Sequence, residues 1–380
     1  MIHAFFTAPA FLLLLPVVLY ALLLLFFLYG WHRTPVFDEG CAAPRERVSI
    51  VVPCRNEEAH LPALLAALRR QTWPAELTEI LFVDDHSADA TWSLLGRAAA
   101  EDGRLRVLRN GGHGKKEALL TGARAARGTF LLTTDADALP PPSWVAVLMA
   151  WRRRTGAAFV AAPVLPQQRP GVVGLFRTAE SAVLALIAAG AATLGHPLFC
   201  SGANMAFSGE LLRLEDDPLR RDVASGEDVF LLHTVKAHRP AAISFLRSRR
   251  ATVTVREPAG LRALLRQRRR WAGKTPRYRD GDTLATALLV LLANLVPLAA
   301  LILTFRDPAL WPLPVTLLLV KTLPELGLLI SALTFFGRKK ILLYVPFLQL
   351  LYPLYVVIVL MLTVTTPASS RGHWDRRKGT

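Results

Sequence analysis

An α/β fold, with a Rossmann-like, mostly parallel sheet between flanking helices and transmembrane α-helices attached, is what this sequence predicts. Three observations carry that expectation. Short β-branched runs alternate with amphipathic helical stretches across residues 45–282. Long apolar stretches stand before and after that segment. Acidic residues recur where the short runs end.

The first apolar stretch, Phe5 to Tyr29, is nearly all Leu, Phe, Val and Ala, and Trp31, His32 and Arg33 follow it. About twenty apolar residues suffice to cross a bilayer. No basic leader precedes the stretch and no small-residue cleavage site follows it, so residues 1–32 are predicted to be a retained transmembrane anchor. Three more stretches, Thr283–Phe305, Leu310–Phe336 and Ile341–Thr366, make a C-terminal membrane region over 283–366 with about three hydrophobic helices. A basic tail occupies 367–380. Lys321 and Glu325, four residues apart, share one helical face. Each would cost about 2.5–3.5 kcal/mol at a bilayer centre, so they should meet each other or face the protein interior.

Positive charge flanks the long middle segment at both ends: Arg33, Arg45 and Arg47 before it, Lys274, Arg277 and Arg279 after it. The positive-inside rule therefore predicts an integral protein of the cell inner or plasma membrane with a cytoplasmic domain over 45–282. Four full crossings would put the basic tail outside, so one stretch is expected to lie in the interface or re-enter. Phe176 to Leu194, apolar but set inside the cytoplasmic segment, is expected to be an interfacial helix.

The formal charge of +16 does not indicate nucleic acid, because the arginines cluster beside apolar segments and no RNP, zinc-knuckle or basic-zipper pattern accompanies them. Cys41, Cys54 and Cys200 have no metal-ligand spacing.

Arg47–Pro53 reads as a buried strand and Glu58–Arg70 as a helix with Leu61, Leu64, Leu65 and Leu68 on one face. Strand Thr78–Val83, helix Asp89–Ala100, strand Leu105–Leu108, helix Lys115–Arg127 and strand Thr129–Thr134 follow. Such alternation builds right-handed βαβ units, and ligands of such sheets bind beyond the carboxyl ends of the strands. There stand Pro53, Asn56 and Glu57, then Asp84 and Asp85, then Asp135 and Asp137.

Asp135 and Asp137 flank a small residue, so in extended geometry both carboxylates would point to one side. That pair could hold one hard divalent cation, Mg2+ or Mn2+, and leave positions for substrate phosphates. Farther on, Glu227 and Asp228 open an apolar helix, and Asp228 is the candidate general base. Gln267-Arg268-Arg269-Arg270-Trp271 joins an arginine cluster to an indole, which suits a diphosphate clamp beside an aromatic surface for a sugar.

In this order the motifs resemble those of the family 2 inverting glycosyltransferases with a GT-A fold. Membrane-bound members such as cellulose and hyaluronan synthases and ceramide glucosyltransferases are similar, over about Val48 to Lys274 and the flanking spans. The resemblance implies a UDP- or GDP-sugar donor and a lipid or glycan acceptor, in polysaccharide or glycolipid biosynthesis of the cell envelope. It implies donor contacts from Pro53, Asn56, Glu57, Asp84, Asp85, Lys115, Asp135, Gln267, Arg270 and Trp271. Asp137, with Asp135, would hold the metal. Gly202, Asn204, Glu227 and Trp271 would line the acceptor side, and Asp228 would be the base. The run His113-Gly114-Lys115-Lys116 departs from the commoner Lys-Gly-x-Ala, which leaves open which lysine meets phosphate. A non-catalytic sugar-nucleotide-binding regulator or a transporter is the rival class. Degraded acidic motifs or internal repeats would favour it, and the sequence has neither.

Overall fold

The computed structural model describes residues 8–40, 44–256 and 260–365. The start of the anchor, Cys41 and the tail at 367–380 lie outside the described residues. The chain forms two compact units, one built on sheets and one on long helices.

In the sheet unit, β1 (Val48–Cys54), α2 (Leu61–Arg69), β2 (Thr78–Asp84), α3 (Thr91–Glu101), β3 (Leu105–Arg109), α4 (Lys115–Ala125) and β4 (Phe130–Thr133) come in the predicted order. β1 and β2 are buried along their whole length, as continuous aliphatic runs between two helical layers should be. α2 begins at Leu61 rather than Glu58, with Pro62 in its first turn, where no N–H is needed. Leu61, Leu64 and Leu68 form its buried face.

Then come β5 (Ala138–Leu139), α5 (Trp144–Thr155), β6 (Phe159–Ala161), β7 (Val164–Pro166), β8 (Met205–Ser208), α7 (Glu227–His238), β9 (Ile243–Phe245) and β10 (Val253–Val255). The larger sheet has the order β3-β2-β1-β4-β8-β6-β9. β1 runs parallel to β2 and β4, β2 to β3, and β6 to β9, whereas β8 is antiparallel to both neighbours. A small sheet, β5-β10-β7, stands beside it.

α4 packs closely on this sheet through Gly122. A Cβ there would lie 2.4 Å from Val51 Cγ1 and 3.1 Å from Val83 Cγ2. Gly122→Ala is therefore expected to destabilise the protein by about 1–3 kcal/mol, the usual cost of overpacking. Thermal unfolding of the full chain measures it, and an unchanged midpoint would contradict this packing.

The helical unit holds α1 (Ala8–Arg33), most of α6 (Val172–Thr193), α8 (Leu261–Ala272), α9 (Gly281–Thr304), α10 (Pro312–Phe335) and α11 (Val345–Thr365). Among the described residues, five helical segments are long and apolar enough to cross a membrane, and α6 is one of them. This division differs from the cytoplasmic segment predicted over 45–282. α6 and α8 group with the membrane helices, because α8 packs on α11 and α6 meets α1 at close range. Gly190 permits that meeting, since a Cβ there would lie 2.1 Å from the Phe27 carbonyl oxygen. Lys321 and Glu325 do meet: the buried ammonium donates to both carboxylate oxygens at 2.7 and 2.8 Å, and the Tyr20 hydroxyl donates to Oε1 at 2.7 Å. Within α10 the pair is thus closed on itself and on α1.

Candidate active site

The larger sheet parts at β1 and β4. β2 and β3 lie to one side of β1, and all later strands lie to the other. Sequential connections leave in opposite directions at such a point, so a crevice opens at the strands' carboxyl ends. A small pocket sits there, lined by Pro53, Lys115, Thr134, Asp135, Gly202 and Glu227.

Lys115 is at its centre. It opens α4 after Gly114, whose φ of 89° turns the chain into the helix. Its Nζ lies 2.6 Å from Asp135 Oδ1 and 2.6 Å from Glu227 Oε1. Burial alone would lower the pKa of this ammonium, but the Asp135, Glu227 and Asp228 carboxylates outweigh burial and hold it well above the usual lysine value. The neighbouring Lys116 turns elsewhere. Its Nζ donates to the Arg220 carbonyl at 2.7 Å and lies 4.6 Å from the centre of the Phe230 ring. Of the two lysines, Lys115 is the one that meets the acids.

Glu227 and Asp228 form the first turn of α7, where the helix dipole favours carboxylates. Asp228 Oδ2 accepts the Gly202 N–H at 3.0 Å and Oδ1 accepts the Val229 N–H at 2.8 Å. A Cβ at Gly202 would stand 3.1 Å from Glu227 Oε1 and 3.4 Å from Lys115 Nζ, so the ends of those side chains would have to shift by a few tenths of an ångström to admit one. The Thr133 hydroxyl donates to the Gly202 carbonyl at 2.7 Å, which fixes this segment to the end of β4.

The two acids at the end of β2, Asp84 as its last residue and Asp85 just after it, serve the loops around them. Both Asp85 oxygens accept the Gly114 N–H at 3.0 Å, and Oδ1 also accepts from Asn110 Nδ2 at 2.7 Å. Asp85 thereby fixes the entrance of α4 and, with it, Lys115. Asp84 Oδ2 accepts the Ser87 N–H at 3.3 Å and pairs with Arg109. Asn56, at φ 54°, accepts the Ala88 N–H at 2.8 Å and donates its own N–H to Ser87 Oγ at 2.9 Å. Glu57 pairs with His60 Nδ1 at 2.6 Å. These contacts join the loops after β1 and β2 into one rim. Cys54, at the end of β1, is buried; burial, reinforced by Asp84, Glu57, Asp85 and Asp89, pushes its thiol up and keeps it protonated.

Two expectations are corrected. Asp135 and Asp137 are not on an extended segment: β4 ends at Thr133, and the Ala138 N–H returns to the Asp135 carbonyl at 3.0 Å, closing a turn. The same-side argument from strand periodicity therefore fails for this pair. The carboxylates that do share a cation are those of Asp135 and Glu227. Asn204 does not direct its side chain to an acceptor cavity. It is fully buried, donates to the Pro163 and Ala251 carbonyls at 2.7 and 2.8 Å, and accepts from Trp144 Nε1 at 2.8 Å.

Gln267, Arg270 and Trp271 lie on α8, in the helical unit. Three residues not expected as site residues stand near it: Thr134, His86 and His113. Thr134 is buried in the pocket lining and lies one residue before Asp135. His86, at φ 57°, and His113 have ring centroids 4.7 Å apart, and their nitrogens and an Asp85 oxygen lie within 4.8 Å of one another. Their places directly after the acidic pair and directly before Gly114 were the available signal.

Hard oxygen donors gathered around a cation are the donor set that Mg2+ or Mn2+ requires. Asp135 and Glu227 offer two carboxylates of that kind, both taken up here by the Lys115 ammonium, and the group of three possible metal ligands among the described residues is Asp85, His86 and His113.

Residues 49–212 match the family described as "Glycosyl transferase family 2". An undecaprenyl-phosphate 4-deoxy-4-formamido-L-arabinose transferase of Enterobacter sp. (strain 638) is 39% identical over 110 residues, 27% of this chain and 33% of its own length. The protein of the same name from Salmonella typhimurium is 32% identical over 152 residues, 38% of this chain and 44% of its own. The chain thus spans less than half the length of these relatives. A mannosyltransferase from Pyrobaculum calidifontis, solved with GDP-Man and Mn2+, superposes with a TM-score of 0.54 at 20% identity, over 92% of this chain and 99% of its own. That likeness shows the fold, which is of the GT-A kind.

Proposed function

We infer, from the family 2 glycosyl transferase domain that residues 49–212 form, that this protein moves a sugar from a nucleoside-diphosphate donor to a lipid phosphate at a membrane surface. The observation that carries the reading is the Lys115 ammonium caged by Asp135 and Glu227 beside Asp228, at the switch point of the sheet. A cation paired with movable acids at that place is suited to a diphosphate leaving group. The acceptor class rests on the relatives named for undecaprenyl phosphate and on the five apolar helices.

In this reading the donor diphosphate becomes a new partner for Lys115, which frees Asp135 and Glu227. A divalent cation, Mg2+ or Mn2+, held by Asp135 and Glu227 with Asp137, would neutralise charge growing on the departing diphosphate. Lys115 supplies a fixed positive charge to the same oxygens. Asp228, oriented by the Gly202 and Val229 N–H groups, takes any proton left on the acceptor oxygen as that oxygen attacks the anomeric carbon, with inversion. Gln267, Arg270 and Trp271 complete the donor and acceptor contacts, and Asp84, Asp85, Asn56 and Glu57 hold the nucleoside side. The sheet unit faces the cytoplasm.

The test is transfer by the full chain in nanodiscs. Radiolabelled UDP- and GDP-sugars are offered with undecaprenyl phosphate, and label entering the lipid phase is counted with and without a chelator. Lipid-soluble product from one donor, suppressed by the chelator, is expected. No lipid-soluble product from any donor would overturn the lipid-phosphate reading, and transfer indifferent to chelation would overturn its metal.

A further inference from the structure

A polar contact chain runs through the helical unit, and nothing in the mechanism so far uses it. It begins on α8 at Arg268, which is 5% exposed and therefore needs a counter-charge and hydrogen-bond partners to remain charged there. Glu180 of α6 provides them: its Oε2 accepts from Arg268 Nε at 3.0 Å and from Nη2 at 2.5 Å. The other oxygen, Oε1, accepts from the Tyr355 hydroxyl of α11 at 3.0 Å. One carboxylate thus grips two different helices, one with each oxygen. Phe176, one turn before Glu180, packs edge-on against the same tyrosine at 4.9 Å.

The rest of the guanidinium is also committed. Nη1 donates to Gln267 Oε1 at 3.0 Å, and the guanidinium carbon lies 4.0 Å from the centre of the Trp271 ring. Arg268 is thus in direct contact with Gln267 and Trp271, the first and last residues of the Gln-x-x-Arg-Trp motif. A planar guanidinium can bond at its edge and stack on its face at once, which an ammonium cannot. Trp271 is 40% exposed, so its ring has a free face besides the one that meets Arg268.

We propose that Glu180 is a positioning residue: acting through Arg268, it fixes the rotamers of Gln267 and Trp271, and through Tyr355 it ties that setting to the last membrane helix. Losing the carboxylate leaves the guanidinium buried without its anchor, so Arg268 moves outward and releases both motif side chains. The inference rests on the reading in which Gln267 and Trp271 serve sugar transfer.

Glu180→Gln, Glu180→Asp, Arg268→Lys and Tyr355→Phe are compared with wild type in nanodiscs. Turnover, equilibrium donor binding and the unfolding midpoint are each measured. Glu180→Gln and Arg268→Lys should lower kcat about tenfold while donor affinity stays within about twofold, and Glu180→Asp should recover part of the loss. Tyr355→Phe, which leaves the ion pair intact, should cost about threefold in kcat with the midpoint nearly unchanged. Wild-type turnover in Glu180→Gln overturns the proposal, as does an equal loss of turnover and donor binding. If Glu180→Gln fails to fold, a Tyr355→Phe protein with full turnover overturns it instead. Gln267→Ala and Trp271→Ala separate the two levels. Inactivity in them with full activity in Glu180→Gln defeats the positioning role alone, whereas full activity in them defeats both the motif's role and this inference.

Discussion

Asp228→Asn lowers sugar transfer at pH 6 and leaves donor binding intact: by about 10²–10⁴-fold, the range that general-base removal produces, for a hydroxyl acceptor, but only about twofold for a lipid phosphate, about half of which is already ionised there. The asparagine is close in shape to the carboxylate, and its amide oxygen can still accept the Gly202 N–H that Asp228 accepts at 3.0 Å. Basicity is lost, and with it one of the two N–H contacts, from Gly202 and Val229, that the carboxylate accepts. How the loss varies with pH then reports the acceptor. A phosphate monoester has its second pKa at about 6, so a lipid-phosphate nucleophile ionises unaided as pH rises, and the deficit should shrink between pH 6 and pH 8. A hydroxyl nucleophile stays protonated across that interval, and its deficit would not shrink. Turnover of the variant and wild type at both values, with donor binding followed separately, makes the comparison. Wild-type transfer at pH 6 would remove Asp228 from the mechanism, and a constant deficit would replace the phosphate acceptor with a hydroxyl one.

Much of this site was legible because a parallel sheet converts sequence position into spatial position. Once β1, β2 and β4 are recognised as buried aliphatic runs, the residues just beyond them must share one edge, and Pro53, Asp85 and Asp135 do. The misread parts depended on geometry that periodicity does not encode. Asp135 and Asp137 were assigned a strand's alternation, yet β4 stops at Thr133 and a turn takes over. Asn204 comes two residues after Gly202 at the site, but its amide satisfies two buried carbonyls that belong to distant loops. The reversed strand β8 has no local signature, since an aliphatic run reads alike in either direction. α6 lies in sequence between the acidic motifs while its packing is with the long apolar helices, because Gly190 and Glu180 act on partners far along the chain. Lys321 and Glu325, in contrast, were predictable at the level of contact: two ions on one face of an apolar helix have few stable alternatives to pairing.

Lys115 and Lys116 are adjacent, equally charged and indistinguishable by composition, so opposite outcomes from their two methionine variants are the sharper test. Lys115→Met should lose about 10²–10³-fold in turnover, the effect of deleting one preorganised charge donor, and should bind the donor more weakly. It removes the single cation that Asp135 Oδ1 and Glu227 Oε1 share at 2.6 Å each, in the pocket where the leaving group is proposed to lie. Methionine retains most of the stem's volume, so the effect isolates charge from packing. Lys116→Met removes an ammonium that donates to the Arg220 carbonyl and lies over Phe230, while its apolar stem contacts persist. Its expected signature is a lower unfolding midpoint with turnover within about threefold of wild type, because no proposed reacting group depends on it. Steady-state turnover, donor titration and thermal unfolding of the two proteins settle the assignment. Equal losses in both would mean that the helix end is merely a diffuse positive surface. A silent Lys115→Met beside an inactive Lys116→Met would mean that α4 presents its second residue, not its first, to the substrate.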